Sequence, residues 1–209
     1  IYVKNFLKEE KSKNSDIIEI HNRPTYVETV VKNTTAKIVL YFHNDPLDMN
    51  GSKSVKDRMN LFNLSEKIIF NSEWSKKRFL TNINKIYFKS KKLLVICQST
   101  NKVKVNLKKK QKIITFVGKL NRAKGYDIFG NAIIKILNKY PKWKSFVYGD
   151  EPREKLVFKH KNLKLQGFKR HNIVLENFKR SSITVVCSRW EEPFGRTSLE
   201  ASSRGCAVI

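Results

Sequence analysis

The sequence predicts an α/β fold with open parallel sheets, and three observations carry that expectation. Short apolar runs alternate with helical patterns along the chain, which is the rhythm of βαβ units. One such run, Ile183-Thr184-Val185-Val186-Cys187, is apolar and β-branched throughout, as a parallel strand buried on both faces should be. The chain has 209 residues, 40% of them hydrophobic, which is room for one large or two small domains with a real core.

The elements follow in order. Strands are expected at residues 17–20, 38–42 and 68–70. The first closes in His21-Asn22-Arg23-Pro24, where Pro24 suits the first turn of the next helix because its missing N–H is no loss there. The second closes in Phe42-His43-Asn44-Asp45-Pro46, and the third in Asn71-Ser72-Glu73-Trp74-Ser75, with Ser72 as the N-cap of a helix running to Leu80. A fourth strand is expected at 93–97.

Residues 98–112 then break the rhythm. They are polar, carry Lys102, Lys104, Lys108, Lys109, Lys110 and Lys112, and read as an exposed, self-repelling linker. This places a domain boundary between residues 1–105 and 106–209.

Beyond it, strands are expected at 113–117, 146–148, 163–167 and 183–187. Ile128, Phe129, Ala132, Ile133, Ile136, Leu137 and Tyr140 recur at helical spacing before Pro141 ends the element, so one helix face packs on a sheet. Residues 195–204 carry helix formers and stop at Gly205, and residues 207–209 read as a strand cut short. In open α/β sheets ligands bind beyond the carboxyl ends of strands, so the strand-to-helix loops share one edge of each domain.

Composition narrows the function classes. Net charge is +25, from 43 basic against 18 acidic residues, a field that attracts phosphates, nucleic acids or anionic lipid surfaces; coding bias in an AT-rich genome would produce the same excess of lysine. No apolar stretch approaches the ~20 residues needed to cross a bilayer. Cys97, Cys187 and Cys206 lie far apart in apolar runs and read as reduced core residues of a cytoplasmic protein. Neither GxGxxG nor a P-loop lysine motif is present, and no metal site is suggested.

The most informative stretch is Arg189-Trp190-Glu191-Glu192-Pro193-Phe194-Gly195-Arg196-Thr197-Ser198-Leu199-Glu200, in which Glu192 falls in a strand-to-helix loop and Glu200 within the helix. Backbone N–H groups at a helix start around Phe194, Gly195, Arg196 and Thr197 suit a diphosphate, since orphan donors and the positive dipole end both favour negative charge. Arg196 is oddly placed for that dipole unless an anion compensates it. Two nearby carboxylates can accept hydrogen bonds from hydroxyls. Glu200 alone would be an ordinary helix-surface glutamate; its flanking residues tip the reading to function.

The acid, seven residues, acid spacing resembles the signature of retaining glycosyltransferases of the GT-B fold, glycosyltransferase family 4. Phe116-Val117-Gly118-Lys119-Leu120-Asn121-Arg122-Ala123-Lys124-Gly125 is similar to that family's diphosphate loop, with lysine at 119 where arginine is more frequent. Val147-Tyr148-Gly149-Asp150, Leu165-Gln166-Gly167-Phe168 and Asn71-Ser72-Glu73-Trp74-Ser75 match further motifs in order. The resemblance implies two Rossmann-like domains whose parallel sheets face each other across a cleft, an N-terminal acceptor-binding domain lacking its start and a C-terminal nucleotide-sugar-binding domain lacking its end.

It also implies roles. Gly118, Lys119, Lys124 and the helix start at Phe194, Gly195, Arg196 and Thr197 would hold the donor diphosphate, Glu192 the donor sugar and Glu200 the ribose. Gly149, Phe168 and Lys169 would border the base. His43 would face the donor sugar and, with Glu192, act in catalysis, while Asn22 and Arg23 would hold the acceptor. The implied reaction moves a sugar from a nucleotide diphosphate-sugar to a glycan or lipid-linked acceptor, in cell-surface polysaccharide or lipopolysaccharide synthesis. It needs no cofactor and no metal, because Lys119, Lys124 and the helix start supply positive charge. The setting is the cytoplasm, with peripheral contact to the inner membrane face through anionic lipid.

Two rivals remain at this level. A glycoside hydrolase would use Glu192 and Glu200 as acid and base, but has no use for the basic loop. A non-catalytic nucleic-acid-binding domain is suggested by charge alone, without a recognition motif, so no specific nucleic acid is expected. His160 and His171 read as surface residues.

Overall fold

In the computed structural model, which describes residues 2–209, the chain forms two compact units that divide between Gln98 and Ser99. The first opens with helix α1 (Tyr2–Lys13) and strand β1 (Ile17–His21). Pro24 then starts a 3-10 turn, Pro24–Tyr26, that runs into α2 (Val27–Val31). There follow β2 (Lys37–Phe42), α3 (Val55–Leu64), β3 (Lys67–Phe70), α4 (Glu73–Phe79) and β4 (Leu93–Val95).

The four strands are parallel and lie in the order β1-β2-β3-β4. Alternate residues Ile18, Ile20, Ile38, Leu40 and Phe42 face the core, where the rings of Phe42, Phe70 and Phe79 pack 5.2 to 5.7 Å apart. Ser72 caps α4, its hydroxyl accepting from the Ser75 N–H at 3.1 Å. A full capping box opens α3, with Ser54 and Asp57 each accepting the other's backbone N–H.

The second unit contains β5 (Gln111–Val117), α5 (Tyr126–Lys139), β6 (Lys144–Tyr148), β7 (Leu163–Gly167), α6 (His171–Arg180), β8 (Ser181–Val185), α7 (Arg196–Ser203) and β9 (Ala207–Val208). Its five parallel strands lie in the order β7-β6-β5-β8-β9. From β5 the chain steps outward to β6 and β7, then returns to β8 on the other side of β5. The strand order therefore reverses between β5 and β8, the place at whose carboxyl ends open α/β sheets bind ligands. Both sheet faces are covered. Tyr126, Phe129, Ile133 and Leu137 of α5 pack on Ile114, Phe116 and Val147, and Val174, Phe178 and Ala201 of α6 and α7 cover the other side with Tyr148 and Cys206. Burial of each such side chain contributes about 1.5–3 kcal/mol.

Three features differ from the sequence expectation. The units divide ahead of the expected 105/106 boundary, and Val105 and Leu107 lie against Gly205, so residues 99–110 go with the second unit. Within the lysine-rich stretch, Gln111 and Lys112 belong to β5, and Lys110 is no solvated connector residue: its ammonium donates to the carbonyls of Phe178 and Ser181 at 2.8 Å and of Arg204 at 2.6 Å. Finally, β4 ends at Val95, which leaves Cys97 exposed; of the three thiols only Cys206 is buried.

Candidate functional site

Two loops meet where the strand order of the second unit reverses. The first, residues 118–125, leaves β5 and is folded by its own polar groups: the Asn121 side chain accepts from the Lys124 N–H at 2.9 Å, and Gly125 N–H donates to the Arg122 carbonyl at 3.0 Å. Gly125 has φ +72° and N-caps α5, and a β-carbon there would lie 1.9 Å from the Cys187 carbonyl oxygen. Only glycine allows this loop to close on the end of β8. A second close approach sets the neighbouring edge, since a β-carbon on Gly149, φ +134°, would lie 1.8 Å from the Gly118 carbonyl oxygen.

The second loop leaves β8 and carries Glu192. Lys124 is ion-paired to Glu192 Oε1, both side chains being about three-quarters buried. Ser188 donates to the same oxygen at 2.8 Å and the Trp190 indole N–H at 3.2 Å, while the Trp190 ring lies 4.9 Å from the Lys124 ammonium. Burial raises the Glu192 carboxyl, but the bonds from Lys124 and Ser188 and the lysine charge outweigh it, and the net direction is downward. Glu192 is thus held as a carboxylate, and its Oε2 has no hydrogen bond among the described residues. Arg189 ties the two loops together: its guanidinium grips both oxygens of Asp127 at 2.6 and 2.7 Å, and its N–H donates to the Ala123 carbonyl at 2.9 Å.

Gly195, φ +78°, N-caps α7, and no side chain caps that helix start. The backbone donors of Arg196 and Thr197 lie there, beside Phe194, and Gly118, Lys124, Glu192, Gly195 and Thr197 line one small cavity. Glu200 is buried in α7; its Oε1 accepts from Arg196 Nε at 2.8 Å and is bonded to His171 Nε2 at 2.9 Å. Arg196 therefore has its compensating anion one turn along its own helix, which explains a cation at that end. His171, expected as a plain surface residue, begins α6 just past the end of β7, so its bond to Glu200 fixes that carboxylate at the same carboxyl edge as Lys124. Glu200 Oε2 has no hydrogen bond among the described residues.

The remaining expected residues are placed less tightly. Lys119 is exposed; the Glu151 carboxyl near it is held down chiefly by hydrogen bonds from Arg153, with the Lys119 charge adding the least. Phe168 and Lys169 lie on the loop after β7, with Phe168 76% exposed and no aromatic partner among the described residues. In the first unit His43 sits at the end of β2, its ring stacked on Tyr41 at 4.4 Å and bonded to His21 and Gln98. Asn22, φ +53°, turns its carbonyl oxygen inward to accept from the His43 N–H at 2.8 Å, so half of its amide is committed to the backbone. Arg23 is exposed and donates to the Asn22 carbonyl at 3.0 Å. Sequence reasoning missed Ser188, Arg189, Trp190 and His171 as parts of the site. The first three lie within four residues of Glu192, where a local signal existed; His171 has none, because its partner is set by strand order.

Among the described residues no three or more His, Cys, Asp or Glu side chains are arranged to hold a metal ion. No helix there is long and apolar enough to cross a membrane.

Comparison with known proteins agrees with this fold. Residues 98–209 match the family model described as glycosyl transferases group 1. No curated protein matches the chain by sequence. Among solved structures, the fold is similar to Anabaena Alr3699/HepE in complex with UDP-glucose, with TM-score 0.72 and 16% identity over 99% of this chain and 62% of that one. It is also similar to the lipopolysaccharide outer core galactosyltransferase WaaB, with TM-score 0.65 and 16% identity over 100% of this chain and 59% of that one. A third is the pneumococcal O-GlcNAc transferase GtfA in complex with UDP and GlcNAc, with TM-score 0.69 and 14% identity over 100% of this chain and 44% of that one. The chain thus spans between 44% and 62% of the length of these three structures.

Proposed function

Because this chain belongs to the family of glycosyl transferases group 1, we propose that it transfers a sugar from a nucleotide diphosphate-sugar to a glycan or lipid-linked acceptor, with retention at the anomeric carbon. One observation carries the reading: at the reversal point of a five-stranded parallel sheet, Lys124, an uncapped helix start and two carboxylates, Glu192 and Glu200, share one edge. Lys124 and the α7 donors neutralise the diphosphate as it departs, the role that charge-stabilising groups play in developing transition states. Glu192 and Glu200 each keep one oxygen without a partner among the described residues, and these accept hydroxyls, Glu192 from the sugar and Glu200 from the ribose. The lowered Glu192 carboxyl suits an acceptor of hydrogen bonds and is wrong for the general acid of a hydrolase.

We assign Lys119, Gly118, Phe194, Gly195, Arg196 and Thr197 to the diphosphate, Gly149, Phe168 and Lys169 to the base, His43 to a sugar hydroxyl, and Asn22 and Arg23 to the acceptor. Positive charge from Lys119, Lys124 and the helix start stands where other transferases use a metal. Similar structures hold UDP-glucose or UDP, and one is a lipopolysaccharide outer core galactosyltransferase, which supports a uridine donor and a role in cell-surface polysaccharide synthesis. The net charge of +25 supports peripheral contact with anionic lipid at the cytoplasmic face.

Calorimetric titration of the protein with UDP, GDP and ADP tests this. Selective binding of one diphosphate is expected, weakened about 10- to 100-fold by Lys124→Ala, the scale of one hydrogen bond to a charged group, and less by Glu200→Ala. Indifference to all three diphosphates would sink the proposal.

A further inference from the structure

In the first unit a continuous hydrogen-bonded chain reaches His43 through Glu19, His21 and Gln98, three residues outside the assignments above. Glu19 Oε2 is 3.1 Å from His21 Nε2, His21 Nδ1 is 2.9 Å from His43 Nε2, and His43 Nδ1 is 3.1 Å from the Gln98 side-chain nitrogen. The rings of His21, Tyr41 and His43 stack with interplanar angles of 7° to 12°, which holds both imidazoles in one orientation.

Proton positions along this chain follow from its end. A carboxylate only accepts, so His21 must carry its hydrogen on Nε2. A neutral His21 then offers a lone pair at Nδ1, which His43 can meet only with an Nε2–H. His43 is left with a lone pair at Nδ1, and the Gln98 amide donates to it. Every donor finds an acceptor in this one arrangement, and reversing any ring leaves two lone pairs or two hydrogens facing each other.

We propose that Glu19 and His21 are positioning residues that fix His43 as a neutral imidazole with its Nδ1 presented as an acceptor for a sugar hydroxyl. The hydroxyl contact rests on the transferase reading; the tautomer assignment does not. An incoming hydroxyl can replace the Gln98 amide at Nδ1, donating as the amide does.

The groups facing the pair are Glu19 from β1, Tyr41 from β2 and Gln98 after β4, with Cys97 acting on Tyr41 and Arg23 turned to the Asn22 carbonyl. Tyr41 keeps its proton, raised first by burial and then by Cys97 and Glu19, and donates to the Ile96 carbonyl at 2.8 Å. Burial, and then the proximity of His21, push His43 below the usual imidazole range, in line with a ring that stays neutral.

Nitrogen-15 NMR of the imidazoles in the 209-residue protein decides the matter without any turnover assay. In the neutral state both rings should show protonated Nε2 and unprotonated Nδ1. Glu19→Leu, on the exposed face of β1, should shift the His43 tautomer ratio about fivefold although residue 19 does not touch that ring. His21→Phe keeps the stack but deletes the acceptor and the second of the two causes that hold His43 low, so His43 should titrate at higher pH than in the unmodified protein, with burial still holding it below the usual imidazole range. A neutral His43 protonated at Nδ1, or a His43 tautomer ratio unmoved by Glu19→Leu, would each overturn the proposal. Loss of diphosphate binding with these NMR signatures intact would refute the transferase reading alone.

Discussion

At the scale of single residues, much of the chemistry here is done by side chains that hold others in place. Arg189 braces the loop of Glu192 against the loop of Lys124 by gripping Asp127, and this pair depends on pH in a known direction. The Arg189 hydrogen bonds lower the Asp127 carboxyl to about 2 in the fold, against about 3.9 in an unfolded chain. A carboxyl depressed by folding contributes fully above its unfolded value and loses that contribution as pH falls toward the folded one. Acid unfolding should therefore show a contribution that fades between about pH 4 and pH 2, and Arg189→Ala should abolish it, as followed by circular dichroism. Unchanged acid unfolding in Arg189→Ala would show that the brace is an incidental surface pair. The residues at this scale were unequally legible. Glu192, Glu200 and Lys124 stood out because their neighbours are unusual, whereas Lys110 is one of six lysines in a short basic stretch and nothing local marks it as the one that turns inward.

At the scale of elements, Lys110 joins three segments: the end of α6, the start of β8 and the turn after α7. Its ammonium serves carbonyls at helix ends, where a cation is favourable and acceptors would otherwise lack donors. Burial pushes the Lys110 amine below the ordinary lysine range, yet three carbonyls keep it a useful donor. Lys110→Met should lower the stability of the second unit by about 1.5–3 kcal/mol, the range for hydrogen bonds to charged groups, read as a shift in the urea midpoint. Lys109→Met, at an exposed neighbouring position, should leave it within about 0.5 kcal/mol. The strands were read well from apolar runs, with bounds moved by one or two residues, and α5 from its stripe. Helix α3 was not identified although Ser54 and Asp57 spell a capping box, because its apolar stripe is weak. The bond between His171 and Glu200 could not be read at all: it exists because α6, which carries the chain from β7 back to β8, packs beside α7 on one face of the sheet, a fact of strand order.

For the whole molecule, the excess of positive charge should set the ionic-strength dependence of binding. A ligand carrying two or more negative charges approaches a field that is screened over about 8 Å at physiological salt and about 3 Å at 1 M. Diphosphate affinity should fall steadily as salt rises, whereas the NMR signatures of His21 and His43 should not move, since their contacts are short and local. Affinity independent of salt would mean that the net charge plays no part in recognition. The α/β class was legible because βαβ alternation is a property of the whole chain and survives local errors. The division between units was less so, since residues 99–110 look like a solvated tether until Val105 and Leu107 are seen against Gly205.

The pairing of Lys124 with Glu192 has a consequence for discrimination among ligands. A simple anion such as inorganic phosphate that draws the ammonium away strands a mostly buried carboxylate and gives it nothing in exchange. A sugar diphosphate offers negative oxygens to one partner and hydroxyls to the other in the same event. The latch thus opens to a key with two teeth, and the many small anions that a chain so rich in lysine must meet are turned away by a bond the protein makes with itself.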